Sequence, residues 1–196
     1  GVFGIHIETD GLSLVGNLAR TLAHSRADVI SVFLDADSEA TYENVKGQAG
    51  FERVTRQVED FLAMTEANDG PLVACRLTKM PDTMDDLEGF YDRWCRRCGG
   101  AVIAGFNDYA GQIDSRNVRD MAPPGRGACV HPNCELIILA DGKPARCRQD
   151  FTGGHFAGTE TIKTATLEQL WHSATFDTVR QAHRQGQWDT VPLCGR

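Results

Sequence analysis

Apolar positions in the first 115 residues alternate between short continuous runs and a three-to-four-residue repeat. Residues 3–8 read as a strand. Ser13 can cap a helix that carries Leu14, Leu18 and Leu22 on one side. Val29-Ile30-Ser31-Val32-Phe33-Leu34 is nearly continuous and β-branched, which predicts a strand buried on both faces. Phe51, Val54, Val58, Phe61 and Leu62 return to helical spacing, and residues 72–80 are the next strand. Thr83 with Asp86 resembles a capping box opening a helix with Leu87, Phe90, Tyr91 and Trp94. Gly99-Gly100 ends that helix, and residues 101–106 are a strand again. Strands separated by helices imply right-handed crossovers and a parallel sheet, either a small open sheet or part of a (β/α) barrel. In both, ligands meet the C-terminal ends of the strands. Glu8-Thr9-Asp10-Gly11, Asp35-Ala36-Asp37, Lys79-Met80 and Asn107-Asp108 fall there. Polar residues at these positions also serve as helix caps, so the pattern admits both roles.

The alternation stops at Ala122-Pro123-Pro124-Gly125-Arg126-Gly127, which reads as a linker dividing the chain into domains 1–121 and 122–196. Beyond it, residues 135–140 and 143–148 flank Asp141-Gly142 as a β-hairpin. Gly153-Gly154 opens a loop. Thr166 with Gln169 can cap a helix presenting Leu167, Leu170 and Trp171, then Phe176 and Val179.

A net charge of −7 disfavours a nucleic-acid or anionic-membrane binder, which needs a basic footprint. No run approaches the roughly 18 apolar residues of a membrane span. The first residues lack a basic leader and read as a strand already in mid-fold, which suggests a fragment. Seven cysteines, an odd number with no secretion signal, point to a reducing compartment, so cytoplasmic is the expected location.

Three of those cysteines form a frame. Cys129 precedes the apolar run Leu136-Ile137-Ile138-Leu139, Cys147 follows the Asp-Gly turn, and Cys194 lies in the tail Pro192-Leu193-Cys194-Gly195-Arg196. Thiolates bind soft metals and iron–sulfur clusters, yet buried free cysteine is also common in cores. Spacing alone leaves both open. Cys95 and Cys98 bracket Arg96-Arg97, a Cys-x-x-Cys that could be redox-active or hold zinc with Cys129 and Cys134. His131 and His155 flank the frame. His172 and His183 read as a solvated helix face, and His6, between Ile5 and Ile7, as a satisfied core histidine. Asp10 and Asp35 could do acid–base work, though helix capping explains each equally. No Ser-His-Asp set, P-loop or Gly-x-Gly-x-x-Gly fingerprint points elsewhere.

The order Cys129, Asp141-Gly142, Cys147, Leu167-Glu168-Gln169-Leu170-Trp171, Arg180, His183 and Pro192-Leu193-Cys194 resembles the SPASM/twitch auxiliary-cluster domain of radical S-adenosylmethionine enzymes. Upstream, Thr9-Asp10-Gly11, Ile30 to Asp35, and Tyr42 with Lys46-Gly47 and Phe51 resemble motifs of the later strands of that family's TIM-barrel-like domain. The resemblance implies a partial (β/α) barrel followed by a small α+β cysteine-rich domain with a β-hairpin and a helix. It implies an auxiliary 4Fe–4S cluster on Cys129, Cys147 and Cys194, and S-adenosylmethionine near Thr9, Asp10 and Asp35. It also implies a peptide, protein or small-molecule substrate and a reductant protein. Two positions depart from the family: Phe33 stands where a serine is expected, and Asp10 where an asparagine is expected. The Cys-x-x-x-Cys-x-x-Cys loop that holds the catalytic cluster is absent and is expected upstream of Gly1, so this chain alone is expected to be inactive. The fourth auxiliary ligand is expected one residue past Arg196, with Cys134 as the substitute. The rival reading is a non-catalytic zinc-binding or interaction module on a truncated barrel. Either way, open sheet edges suggest a homodimer.

Overall fold

The computed structural model describes residues 2–119 and 127–195; the linker expected at 122–127 falls, apart from Gly127, outside the described residues. The chain divides into two compact units, one running to Phe106 and including Arg116–Arg119, the other of Asn107–Ser115 together with residues 127–195. The first is an α/β unit built on a four-stranded parallel sheet, and the second contains a small antiparallel sheet.

In the first unit the strands β1 (His6–Thr9), β2 (Val29–Phe33), β3 (Leu72–Lys79) and β4 (Gly100–Gly105) lie in sequence order. Helix α1 (Gly16–Ala23) joins the first two. Helices α2 (Glu39–Lys46) and α3 (Phe51–Ala67) join the next two, and α4 (Leu87–Arg97) joins the last. Successive strand residues face opposite sides, and the two faces here differ in chemistry. Ile30, Val32, Val73, Cys75 and Leu77 join one core with Ala19 and Ala23 of α1, Val54, Val58 and Phe61 of α3, and Phe90 and Trp94 of α4. The alternate positions carry polar cross-strand pairs. His6 bonds Ser31 at 2.8 Å, and Arg76 pairs with Glu8 at 2.7 Å while lying 4.4 Å over the Phe33 ring.

β1 starts at His6 because pairing begins with His6 opposite Val29; Phe3 stays exposed. His6 is therefore on an exposed strand face, bonded to Ser31, and is not the core histidine expected. The predicted cap at Ser13 is displaced as well. Turn bonds from Leu14 to Gly11 and from Val15 to Ser13 consume that segment, and α1 starts at Gly16. Gly11 makes the turn possible, since its φ is 84° and a Cβ there would meet Val32 and Val54 at 3.0 Å.

Helix α2 has no apolar repeat, because only Tyr42 of its residues is buried, and its start is set from a distance. The Asp86 carboxylate accepts the Asp37 and Ser38 N–H groups at 2.6 and 3.0 Å, and Ser38 caps Thr41. Gly47, at φ 70°, closes its C-terminus. The N-terminus of α3 has glycine at the cap position and takes its acceptor from α2: Glu39 receives the Gly50 and Phe51 N–H groups at 2.6 and 3.0 Å. Thr83 does not cap α4. Its hydroxyl receives the Met80 N–H within a 3-10 turn, Pro81–Asp86, and α4 begins at Leu87.

Asp35 closes β2 in a left-handed conformation (φ 56°) and is 7% exposed. One carboxylate oxygen receives the Thr78 N–H at 2.7 Å, and the other lies 2.6 Å from Lys46 Nζ, which also donates to the Phe33 carbonyl. A buried carboxylate stripped of its cation is costly. Lys46→Met is accordingly expected to lower stability by about 3 kcal/mol in urea denaturation, and a loss under about 1 kcal/mol would show that solvent already screens Asp35.

In the second unit, β5 (Ile137–Ile138) pairs antiparallel with β6 (Pro144–Ala145) across the Asp141-Gly142 turn, where Gly142 has φ 88°. Thr166 and Gln169 exchange side-chain and backbone bonds as a capping box, opening α5 (Leu167–Trp171). A break at His172-Ser173 separates it from α6 (Ala174–Arg184).

Candidate metal centre

Helix α6 has its buried face at Phe176, Val179, Arg180 and His183, the i, i+3, i+4, i+7 stripe of an amphipathic helix. Two of the four are polar, and both hold the segment that carries Cys129. Arg180 is 4% exposed; its Nε donates to the Pro132 carbonyl at 2.9 Å and one terminal nitrogen to the Trp171 carbonyl at 2.7 Å. The same guanidinium stacks 4.0 Å over the Trp171 ring and pairs with Asp177. His183 Nδ1 accepts the Cys129 backbone N–H at 3.1 Å.

Cys147 follows β6 in a loop organised by Asp150, which is fully buried. Its carboxylate accepts the Arg146 N–H at 3.1 Å, and its own N–H bonds the Cys147 carbonyl at 2.9 Å. Cys194 lies in a turn after Val191, its N–H bonded to the Val191 carbonyl at 3.0 Å. Cys129, Cys147 and Cys194 thus come from three separate segments, and all three line one cavity of about 320 Å³ within this unit. His131, His183 and Trp188 complete much of its wall.

The spacing of the sulfurs bears on what they could hold. Among the described residues, the donor atoms gathered within 4.8 Å of one another are those of His131, Cys134 and Glu135. The three cavity thiols do not form a group within that distance. A single tetrahedral zinc, with Zn–S bonds near 2.3 Å, brings its sulfurs to about 3.8 Å from each other. The tighter group outside the cavity is an ion-pair cluster: Glu135 bonds Arg148 through both carboxylate oxygens and has His131 Nδ1 at 2.9 Å. The Arg148 guanidinium, aided by His131, holds the Glu135 carboxyl below the usual carboxylate range. Cys134 is exposed, its sulfur directed to the Val130 carbonyl, and it is not among the residues lining the cavity.

The remaining candidates are elsewhere. Thr9 and Asp10 stand at the end of β1, where their side chains accept the Gly11 and Leu12 N–H groups, and both oxygens of Asp35 are engaged as described. Cys95 is exposed beside Tyr91. Cys98 turns inward instead, where a hydrogen bond from the buried Cys75 thiol draws it down to about 6 and pushes Cys75 up. His172 is exposed as expected, but His183 is 5% exposed, correcting its assignment to a solvated face. His155 lies outside the cavity lining. No helix among the described residues is long and apolar enough to cross a membrane.

With this geometry in hand, comparison with known proteins adds little. No family model and no solved structure matches the chain. A protein of Treponema pallidum (strain Nichols), described only as "Uncharacterized protein", is 27% identical over 175 residues, covering 84% of this chain and 48% of that protein. The chain therefore spans about half the length of this relative.

Two outcomes check the second unit. Arg180→Met leaves two buried carbonyls without their donor and is expected to cost about 3 kcal/mol, with lysine restoring only part because it lacks the planar fork. The measurement is urea unfolding followed by tryptophan near-ultraviolet dichroism, and an unchanged midpoint would contradict the role given to Arg180. Glu135, held below its ordinary value of 4.5, stabilises the fold above that pH and loses the contribution as pH falls through its lower folded value. Glu135→Gln should flatten the acid limb of the stability profile; an unaltered limb would mean the cluster carries no net ion-pair stabilisation.

Proposed function

We propose that this chain is the C-terminal portion of a radical S-adenosylmethionine enzyme and that its second unit holds an auxiliary 4Fe–4S cluster through Cys129, Cys147 and Cys194. The observation that carries the reading is that Cys129, Cys147 and Cys194, from three separate segments, line one cavity. The four parallel strands of the first unit are then the later strands of a partial barrel, and the second unit a SPASM/twitch-like domain. Such a cluster, when bound, supplies one-electron chemistry.

The chain's own residues hold the ligands in place. Asp150 shapes the loop of Cys147, α6 fixes the main chain at Cys129, and Trp188 helps keep water from the sulfurs. Thr9 and Asp10, at the end of β1, are the residues assigned to S-adenosylmethionine, with Asp35 supporting the neighbouring strand end through Lys46 and Thr78. A peptide or protein is the substrate class. A reductant protein and a second copy of the chain across the open edges β1 and β4 are the partners.

A structural zinc module is the second reading, favoured by one observation: the donor atoms of His131, Cys134 and Glu135 lie within 4.8 Å of one another. Anaerobic reconstitution with iron and sulfide separates the two. The cluster reading expects about four irons per chain and a broad absorbance at about 400 nm, both lost in Cys147→Ala. One tightly held zinc per chain with no iron uptake would overturn it.

A further inference from the structure

His183, expected on a solvated helix face, lines the cysteine cavity instead, and its environment fixes what it can do there. The ring lines the cysteine cavity, is 5% exposed, and stacks on Trp188 with centroids 6.2 Å apart and planes 25° apart. A backbone N–H can only donate. The 3.1 Å contact from the Cys129 nitrogen therefore requires a lone pair on His183 Nδ1, which places the ring proton on Nε2. The tautomer follows from the fold and needs no metal.

This tautomer excludes one role and assigns another. To ligate iron or zinc through Nε2, the imidazole would have to move its proton to Nδ1, setting two donors head to head at Cys129. Ligation and the Cys129 hydrogen bond are mutually exclusive. We propose that His183 is a positioning residue of the cluster site: it holds the Cys129 main chain through Nδ1 and donates from Nε2–H to a sulfur of the group bound by Cys129, Cys147 and Cys194. Hydrogen bonds to cluster sulfurs raise the reduction potential, and the effect is larger in a buried setting such as the one Trp188 provides. Arg180, one turn earlier on α6, grips the same segment at Pro132, so ring and loop are held from one helix.

The proposal rests on the cluster reading, and the test separates the two. Midpoint potentials of the reconstituted 196-residue chain are measured by anaerobic spectroelectrochemical titration for the wild type, His183→Leu and His183→Gln, alongside iron and sulfide content. The expected result is unchanged cluster content with a lower midpoint in the leucine variant, and partial recovery with glutamine, whose amide still donates. Equal midpoints in all three overturn the proposal. So does a directly coordinated histidine nitrogen in pulsed electron paramagnetic resonance, and so does a donor-free His183→Phe variant at wild-type potential if the leucine variant fails to hold iron. A wild-type chain that takes up no iron overturns the cluster reading beneath it. The tautomer is then judged by long-range ¹⁵N–¹H correlations in the metal-free protein, where a His183 proton on Nδ1 overturns the geometric basis.

Discussion

A guanidinium taken out of water must find acceptors for its N–H groups, and Arg180 finds them where the second unit needs its segments joined. Its carbonyl partners belong to Pro132 and to Trp171, so one side chain ties the turn that follows Cys129 to the end of α5. The stack on Trp171 adds a direction to the grip, because the planar group cannot rotate without leaving either the ring or the carbonyls. With few apolar residues to spare in this unit, a polar clamp does what a larger core does in the first. The position of Cys129, and hence the shape of the three-thiol cavity, follows from where α6 places that guanidinium and the imidazole one turn on.

What the sequence disclosed and what it hid divide along a physical line. Strands β2 and β3 and helix α3 were legible because each buries a regular apolar face, β1 and β4 from short apolar runs that stay half-buried or exposed, and the hairpin because Asp-Gly is a strong local turn signal. The capping box at Thr166 was legible for the same reason: both partners lie within four residues. Helix α2 was not, since the N–H groups of the two residues that lead into it are held by Asp86, 48 and 49 residues away, and its own residues bury little. The three cavity thiols could be picked out by type and order. His183 could not, because the bond that defines it spans 54 residues. A stricter reading of the Phe176, Val179, Arg180, His183 stripe could have placed it on the buried face; charge and polarity drew it to the solvent side instead.

The first unit shows how the same residues can answer to a family resemblance and to plain mechanics. Thr9, Asp10 and Gly11 build a tight turn against Val32 and Val54. Asp35 and Lys46 form the ion pair at the end of β2, Gly47 stops α2, and Tyr42 lies against Phe51 with ring centroids 6.0 Å apart. Each of these residues thus has a structural duty of its own in the first unit.

The carboxylate of Glu39 joins two helices. Because it belongs to α2 yet satisfies the first N–H groups of α3, the N-terminus of α3 is complete only when α2 is formed. When α2 frays, α3 loses its N-terminal acceptor, and when the first turn of α3 opens, Glu39 loses its donors. The opening of the 8-residue helix is therefore coupled to that of the first turn of the 17-residue helix, whose later turns are held by the core through Val54, Val58 and Phe61.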